Sequence, residues 1–220
     1  MNKENKIVVI GITGSIGSGK SSVSNIISKQ GYNIISSDDN AKTLMNNDSN
    51  LKNNLIKEFG NNFYNSDGTV NSNFVSDIVF GYTSESKSKL EKLNKLVHPL
   101  VIEKMVDEIE TLMNNDVKVV FVESALMFET GLFEGFDYVV TVNTNKDILI
   151  NRVMQRSNLS KEQVESRLKS QMSSEEKKKY ADFVIENSGS IESLEQSVNF
   201  LLPILTNLPP KEFDEEENED

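Results

Sequence analysis

The sequence predicts an α/β fold three layers deep, built on a five-stranded parallel sheet and carrying a helical insert and a helical lid. Three observations predict it. Short apolar runs rich in Val, Ile and Phe, at Lys6–Ile12, Tyr32–Ile35, Val117–Val122, Tyr138–Val142 and Phe183–Ile185, alternate with helical patterns. Buried parallel strands look this way. About 80 residues separate the second run from the third, far too many for one crossover helix. Finally, the first run breaks at once into a glycine-rich turn that leads into a helix.

The elements follow in order. After the first strand, Val23, Ile26 and Ile27 recur at helical spacing, and Gly31 stops that helix before the second strand. The long interval, about residues 40–115, holds a mostly helical insert. Its apolar face of Leu90, Leu93, Val97, Leu100 and Val101 is interrupted at His98-Pro99. Proline suits the first turn of a helix, so one helix is expected to end near Val97 and another to start at Pro99. Beyond the fourth strand, Lys146–Arg156 reads as a helix, and Ser160 with Gln163 three residues later matches a capping box. Residues from about 150 to 175 make the lid. Residues 1–210 thus form a single domain, and 211–220 ("KEFDEEENED") an acidic tail with no apolar period, expected to be disordered.

Composition excludes several classes of function. That tail holds seven acids and one lysine, so about half of the formal charge of −11 lies outside the folded part. The negative balance argues against a broad duplex-binding face, and hence against nucleic acid as a partner. With no cysteine, a disulfide framework or thiolate metal site is impossible. The chain has no membrane-spanning apolar run and no secretory leader pattern, so a cytoplasmic location is expected, with no obligate protein partner evident.

The turn carries the chemistry. Gly14-Ser15-Ile16-Gly17-Ser18-Gly19-Lys20-Ser21, followed by Ser22, satisfies G-x-x-x-x-G-K-[ST] between a strand and a helix, the context a P-loop requires. Glycines let successive N–H groups converge on phosphate oxygens, and the helix start adds the positive end of its dipole. Lys20 is expected on the β- and γ-phosphates of ATP, and Ser21 on Mg²⁺. Asp38 and Asp39 follow the second strand at the sheet's carboxyl edge, where α/β proteins bind ligands. One of them could take a proton from an attacking hydroxyl; otherwise they cap a helix or form a solvated pair. Glu123 ends the third strand at the position of a Walker-B acid, a second candidate for Mg²⁺. Glu129 faces either an acceptor or solvent. His98, the single histidine, is either a packing residue or part of an acceptor site in the insert. Arg152, Arg156 and Arg167 follow the fourth strand. The first two are four apart on one helix face, and the guanidinium forks of all three suit a triphosphate. The Lys177-Lys178-Lys179 run reads as solvated helix surface.

Six segments in order resemble the dephospho-CoA kinases, P-loop enzymes that phosphorylate the ribose 3′-hydroxyl of dephospho-CoA. They are "GITGSIGSGKSSV", "FGNNFYNSDGTVN", "LNKLVHPLV", "LMFETGL", "RVMQR" with "RLKSQ", and "ADFVIENSG". The resemblance spans about Ile7 to Leu201. It implies ATP as phosphoryl donor, with Mg²⁺, and dephospho-CoA as acceptor. Asp38 would be the base, and Lys42, His98 and Glu129 would join it along the acceptor cleft. Arg152 and Arg156 would meet the ATP phosphates, and Asn187 would sit by adenine. Ser15, Ser36, Lys42 and Ser72 depart from the residues usual in the family, as does Glu123-Ser124-Ala125. The changes at Lys42 and Ser72 bear on acceptor affinity, because a bidentate fork and a charge are lost. From the residues alone, a nucleoside monophosphate kinase shares loop, insert and lid. A GTPase switch is opposed by Ile148 where its base-reading Asp would stand, and by the lack of D-x-x-G after the third strand.

Overall fold

The computed structural model describes residues 6–80 and 83–211. Strands β1 (Val8–Thr13), β2 (Asn33–Ser36), β3 (Val119–Glu123), β4 (Tyr138–Asn143) and β5 (Phe183–Glu186) form one parallel sheet in the order β2-β3-β1-β4-β5. Each ends one residue later than its apolar run. The ladder continues through a polar residue, so Thr13, Ser36, Glu123, Asn143 and Glu186 line the carboxyl edge.

Alternation sends side chains to both faces. Val8, Ile10 and Ile12 of β1 pack with Val23 and Ile27 of α1 (Lys20–Lys29), and with Leu194, Val198 and Leu202 of α9 (Ile191–Leu205). Val9, Val120, Val122 and Val139 face the other way, onto Met105, Met127, Phe128 and Phe136. Gly11 lies on this second face because any larger residue would collide there. A Cβ would fall 2.6 Å from Met127 Sδ and 2.8 Å from the Phe136 ring.

Between β2 and β3 run α2 (Ser37–Asn47), α3 (Ser49–Phe59), α4 (Ser72–Val79) and α5 (Ser84–Asn114). Leu51, Leu55, Phe63, Val97 and Val101 give them a core of their own. The expected break before Pro99 does not occur, and α5 runs through it. Proline removes the bond to the carbonyl one turn back and crowds that carbonyl. Val97 and Val101 are buried in the insert's core while Met105 is buried against the sheet, so packing on both sides holds the helix continuous.

After β4 come α6 (Lys146–Ser157), α7 (Lys161–Lys169) and α8 (Ser174–Tyr180). Ser160 and Gln163 form the predicted capping box, and Ser173 with Glu176 forms a second one. Leu149, Ile150, Val153 and Val164 close a small core against Ile16 of the loop. Lys211, the first residue assigned to the tail, is held by Asp137 through its N–H and by Asp182 through its ammonium. The rest of the expected acidic tail lies outside the described residues. Among those described, no helix is long and apolar enough to cross a membrane.

Candidate active site

The loop between β1 and α1 is braced from several sides. Gly19 adopts φ 99°, and a Cβ there would sit 2.0 Å from Asn187 Nδ2. Asn187 is buried just past β5, where its Nδ2 donates to the Ser18 carbonyl at 2.7 Å. The same carbonyl accepts Thr144 Oγ1 at 2.8 Å. Arg152 of α6 donates to the Asn187 carbonyl at 3.1 Å. Asn187, expected by adenine, therefore commits its side-chain amide to the loop. Thr144, noticed in the sequence only for a GTPase-like tetrad, is a second brace.

Lys20 is 7% exposed and folds back on the loop, donating to the carbonyls of Gly14 at 2.9 Å and Ser15 at 3.3 Å. Burial pushes its ammonium down to about 8, while the carboxylates of Asp38 and Glu123 oppose the shift. An anion placed beside it would offset the desolvation and favour the charged form. The start of α1 and the loop N–H groups complete the cradle, and the buried Ser18 hydroxyl has no partner. The residues present fit the phosphates of a nucleotide. They also fit Mg²⁺: Ser21 Oγ donates to Glu123 Oε1 at 2.9 Å, which brings two hard oxygen donors together at the loop's edge.

Asp38 lies in the first turn of α2, capped by Ser36, whose hydroxyl accepts the Asp39 N–H. It opens onto a cavity of about 150 Å³ shared with His98, Asn94, Thr130, Leu126 and Leu132. Asp38 is exposed to solvent, yet crowding by protein raises its carboxyl above the usual aspartate range, with Lys20 opposing. Burial lowers the His98 imidazole, favouring its neutral form. Asp39 instead pairs at 3.3 Å with Lys42, both side chains being about 70% exposed. Lys42 does not line the cavity.

Three sequence readings are corrected by geometry. Lys177 is not solvated surface: its side chain is 1% exposed and pairs with Glu129 at 3.0 Å. Burial lowers its ammonium, and Glu129 opposes that. Glu129 is turned to Lys177 and to the Met172 N–H, away from the cavity where an acceptor residue would stand. Arg167 does not join the loop. Its guanidinium donates to Ser76 Oγ at 2.5 Å and lies over the Phe80 ring. Arg156 stays with the loop electrostatically, exposed but close enough to weigh on Lys20.

Comparison with known proteins identifies the family. The dephospho-CoA kinase family model matches residues 8–193. A dephospho-CoA kinase of Listeria innocua is 36% identical over 189 residues, covering 86% of this chain and 92% of that protein. A crystallographically solved Thermus thermophilus protein superposes with a TM-score of 0.73 at 33% identity, covering 90% of this chain and 98% of the other. A dephospho-CoA kinase from Campylobacter jejuni gives 0.64 at 29% identity, covering 90% and 96%. The chain belongs to the dephospho-CoA kinase family.

Proposed function

We propose that the protein transfers the γ-phosphoryl group of ATP to the ribose 3′-hydroxyl of dephospho-CoA, giving coenzyme A and ADP. The observation that carries this reading is the placement of Asp38. It lines the insert's cavity and is coupled electrostatically to the loop lysine, between a place for an acceptor and a place for phosphate. The acceptor hydroxyl gives its proton to Asp38 Oδ as its oxygen bonds to phosphorus and the β–γ bridging oxygen leaves with ADP. The raised carboxyl affinity for a proton makes Asp38 a stronger base than a solvated aspartate.

Lys20, Arg152 and Arg156 stabilise the charge on the transferring group. Ser21 and Glu123 would hold Mg²⁺, whose charge would offset that of the phosphates. The insert cavity, with His98 on its wall, receives the acceptor. The α6–α8 lid keeps water from competing for the phosphoryl group.

The test is ATP-dependent conversion of dephospho-CoA to CoA by the purified protein, followed chromatographically, with AMP, UMP and CMP as competing acceptors and GTP as alternative donor. Preferential turnover of a nucleoside monophosphate would overturn the proposal.

A further inference from the structure

The buried Lys177–Glu129 pair has no part in the reaction as derived. Lys177 Nζ reaches Glu129 Oε1 at 3.0 Å and the Ala125 carbonyl at 2.9 Å, tying α8 to the segment after β3. An ion pair buried this deeply adds little net stability, because desolvation offsets its attraction. What it fixes is position. Glu129 Oε1 also accepts the Met172 N–H at 2.7 Å. On either side of Met172 the chain touches the phosphate loop. Gln171 Oε1 accepts the Ile16 N–H at 2.9 Å, and Ser174 Oγ lies 3.2 Å from Ser15 Oγ. The Ile16 N–H is a donor, so the Gln171 oxygen must face it, whichever way the amide is drawn.

We propose that Glu129 and Lys177 are positioning residues for ATP: acting through the Met172 backbone, they seat Gln171 and Ser174 on the rim of the phosphate loop. The loop is braced by Asn187 and Thr144 at Ser18, and this clamp braces its opposite arm at Ser15 and Ile16. The inference rests on the reading of the loop as an ATP site.

Kinetics of Lys177→Met and Gln171→Ala, measured well below their unfolding temperatures, test it. Each variant is expected to raise KM for ATP about tenfold, the scale of one lost hydrogen bond to the loop, with KM for the acceptor unchanged. A purely structural role would lower the active fraction and move neither KM. Gln171 is half-buried, so its truncation tests the clamp without burying a lone charge. Calorimetric Kd for a non-hydrolysable ATP analogue reads the same split whatever the acceptor is, so failure of the dephospho-CoA assignment stays distinguishable. Lys178→Met, which removes the neighbouring charge from the same helix, should keep wild-type values. Unchanged ATP affinity in Gln171→Ala, or equal loss in Lys178→Met, overturns the proposal.

Discussion

Lys20→Met should trade catalysis for stability, in a way that reverses with pH. Burial brings the Lys20 ammonium from 10.5 down to about 8, a displacement that corresponds to about 3 kcal/mol against the charged form. Methionine removes that penalty but cannot donate to the Gly14 and Ser15 carbonyls, which costs roughly 1 kcal/mol for each bond. At pH 7 the variant without nucleotide should therefore be the more stable by about 1 kcal/mol. The folded-state value is depressed, so between pH 8 and 10.5 the unfolded chain binds a proton that the fold has released. Wild-type stability rises across that window. By pH 10.5 the variant should be the less stable by about 2 kcal/mol, since only the hydrogen bonds still count. Urea unfolding of both proteins from pH 7 to 10.5 measures the difference, in which titrating groups not coupled to Lys20 cancel. Saturating Mg-ATP at 100 Kd should add about 2.7 kcal/mol to the wild type and little to the variant. A stability difference that stays flat across the pH range would refute the claim that Lys20 is held charged at a cost.

Asp38→Asn should lower kcat by roughly 10² to 10⁴-fold while the Kd for ATP changes little. In the wild type the acid limb of the kcat/KM profile should sit above the ordinary aspartate range, because burial raises Asp38 and activity needs its ionised form. Two oxygens lie 2.9 Å apart at Ser21 and Glu123; Ser21→Ala removes one, and Glu123→Gln removes the negative charge of the other. Both should raise the Mg²⁺ concentration needed for half-maximal rate by about tenfold or more, read from Mg²⁺ titrations at fixed ATP. Gly19→Ala places a Cβ 2.0 Å from Asn187 Nδ2 at a φ of 99°. It should cost about 1–3 kcal/mol in thermal unfolding, and Asn187→Ala in the same chain should cost less than the sum of the two.

Much of the fold was legible because it rests on local patterns. Five apolar runs marked five strands, and their common one-residue extension has a single cause. Hydrophobicity marks where side chains are buried, whereas the ladder depends on backbone pairing and continues to the polar edge that serves the site. Pro99 misled for the complementary reason. A proline's local preference for a helix start was overridden by Val97, Val101 and Met105, which commit α5 to two cores at once.

In the site, the placement of residues set by neighbours in sequence was readable: the run from Gly14 to Ser21 between a strand and a helix, and Asp38 and Glu123 at strand ends. Residues defined by distant partners were not. Lys177 sits in a lysine triplet whose spacing says only "helix", and its counter-charge lies 48 residues away on a different element. Glu129 and Arg167 likewise exchanged expected ligands for protein partners, Lys177 and the Ser76–Phe80 corner. Each of these exchanges joins the lid region to another part of the molecule. Arg167 and Ser166, whose hydroxyl donates to the Phe80 carbonyl at 2.6 Å, fasten α7 to the insert. Lys177 fastens α8 to the segment after β3, and Gln171 fastens the intervening turn to the loop. Charges that the sequence offers for a ligand are thus divided. Those at the sheet edge and on α6 stay near the glycine-rich loop, and those further along the chain tie α7 and α8 to their neighbours.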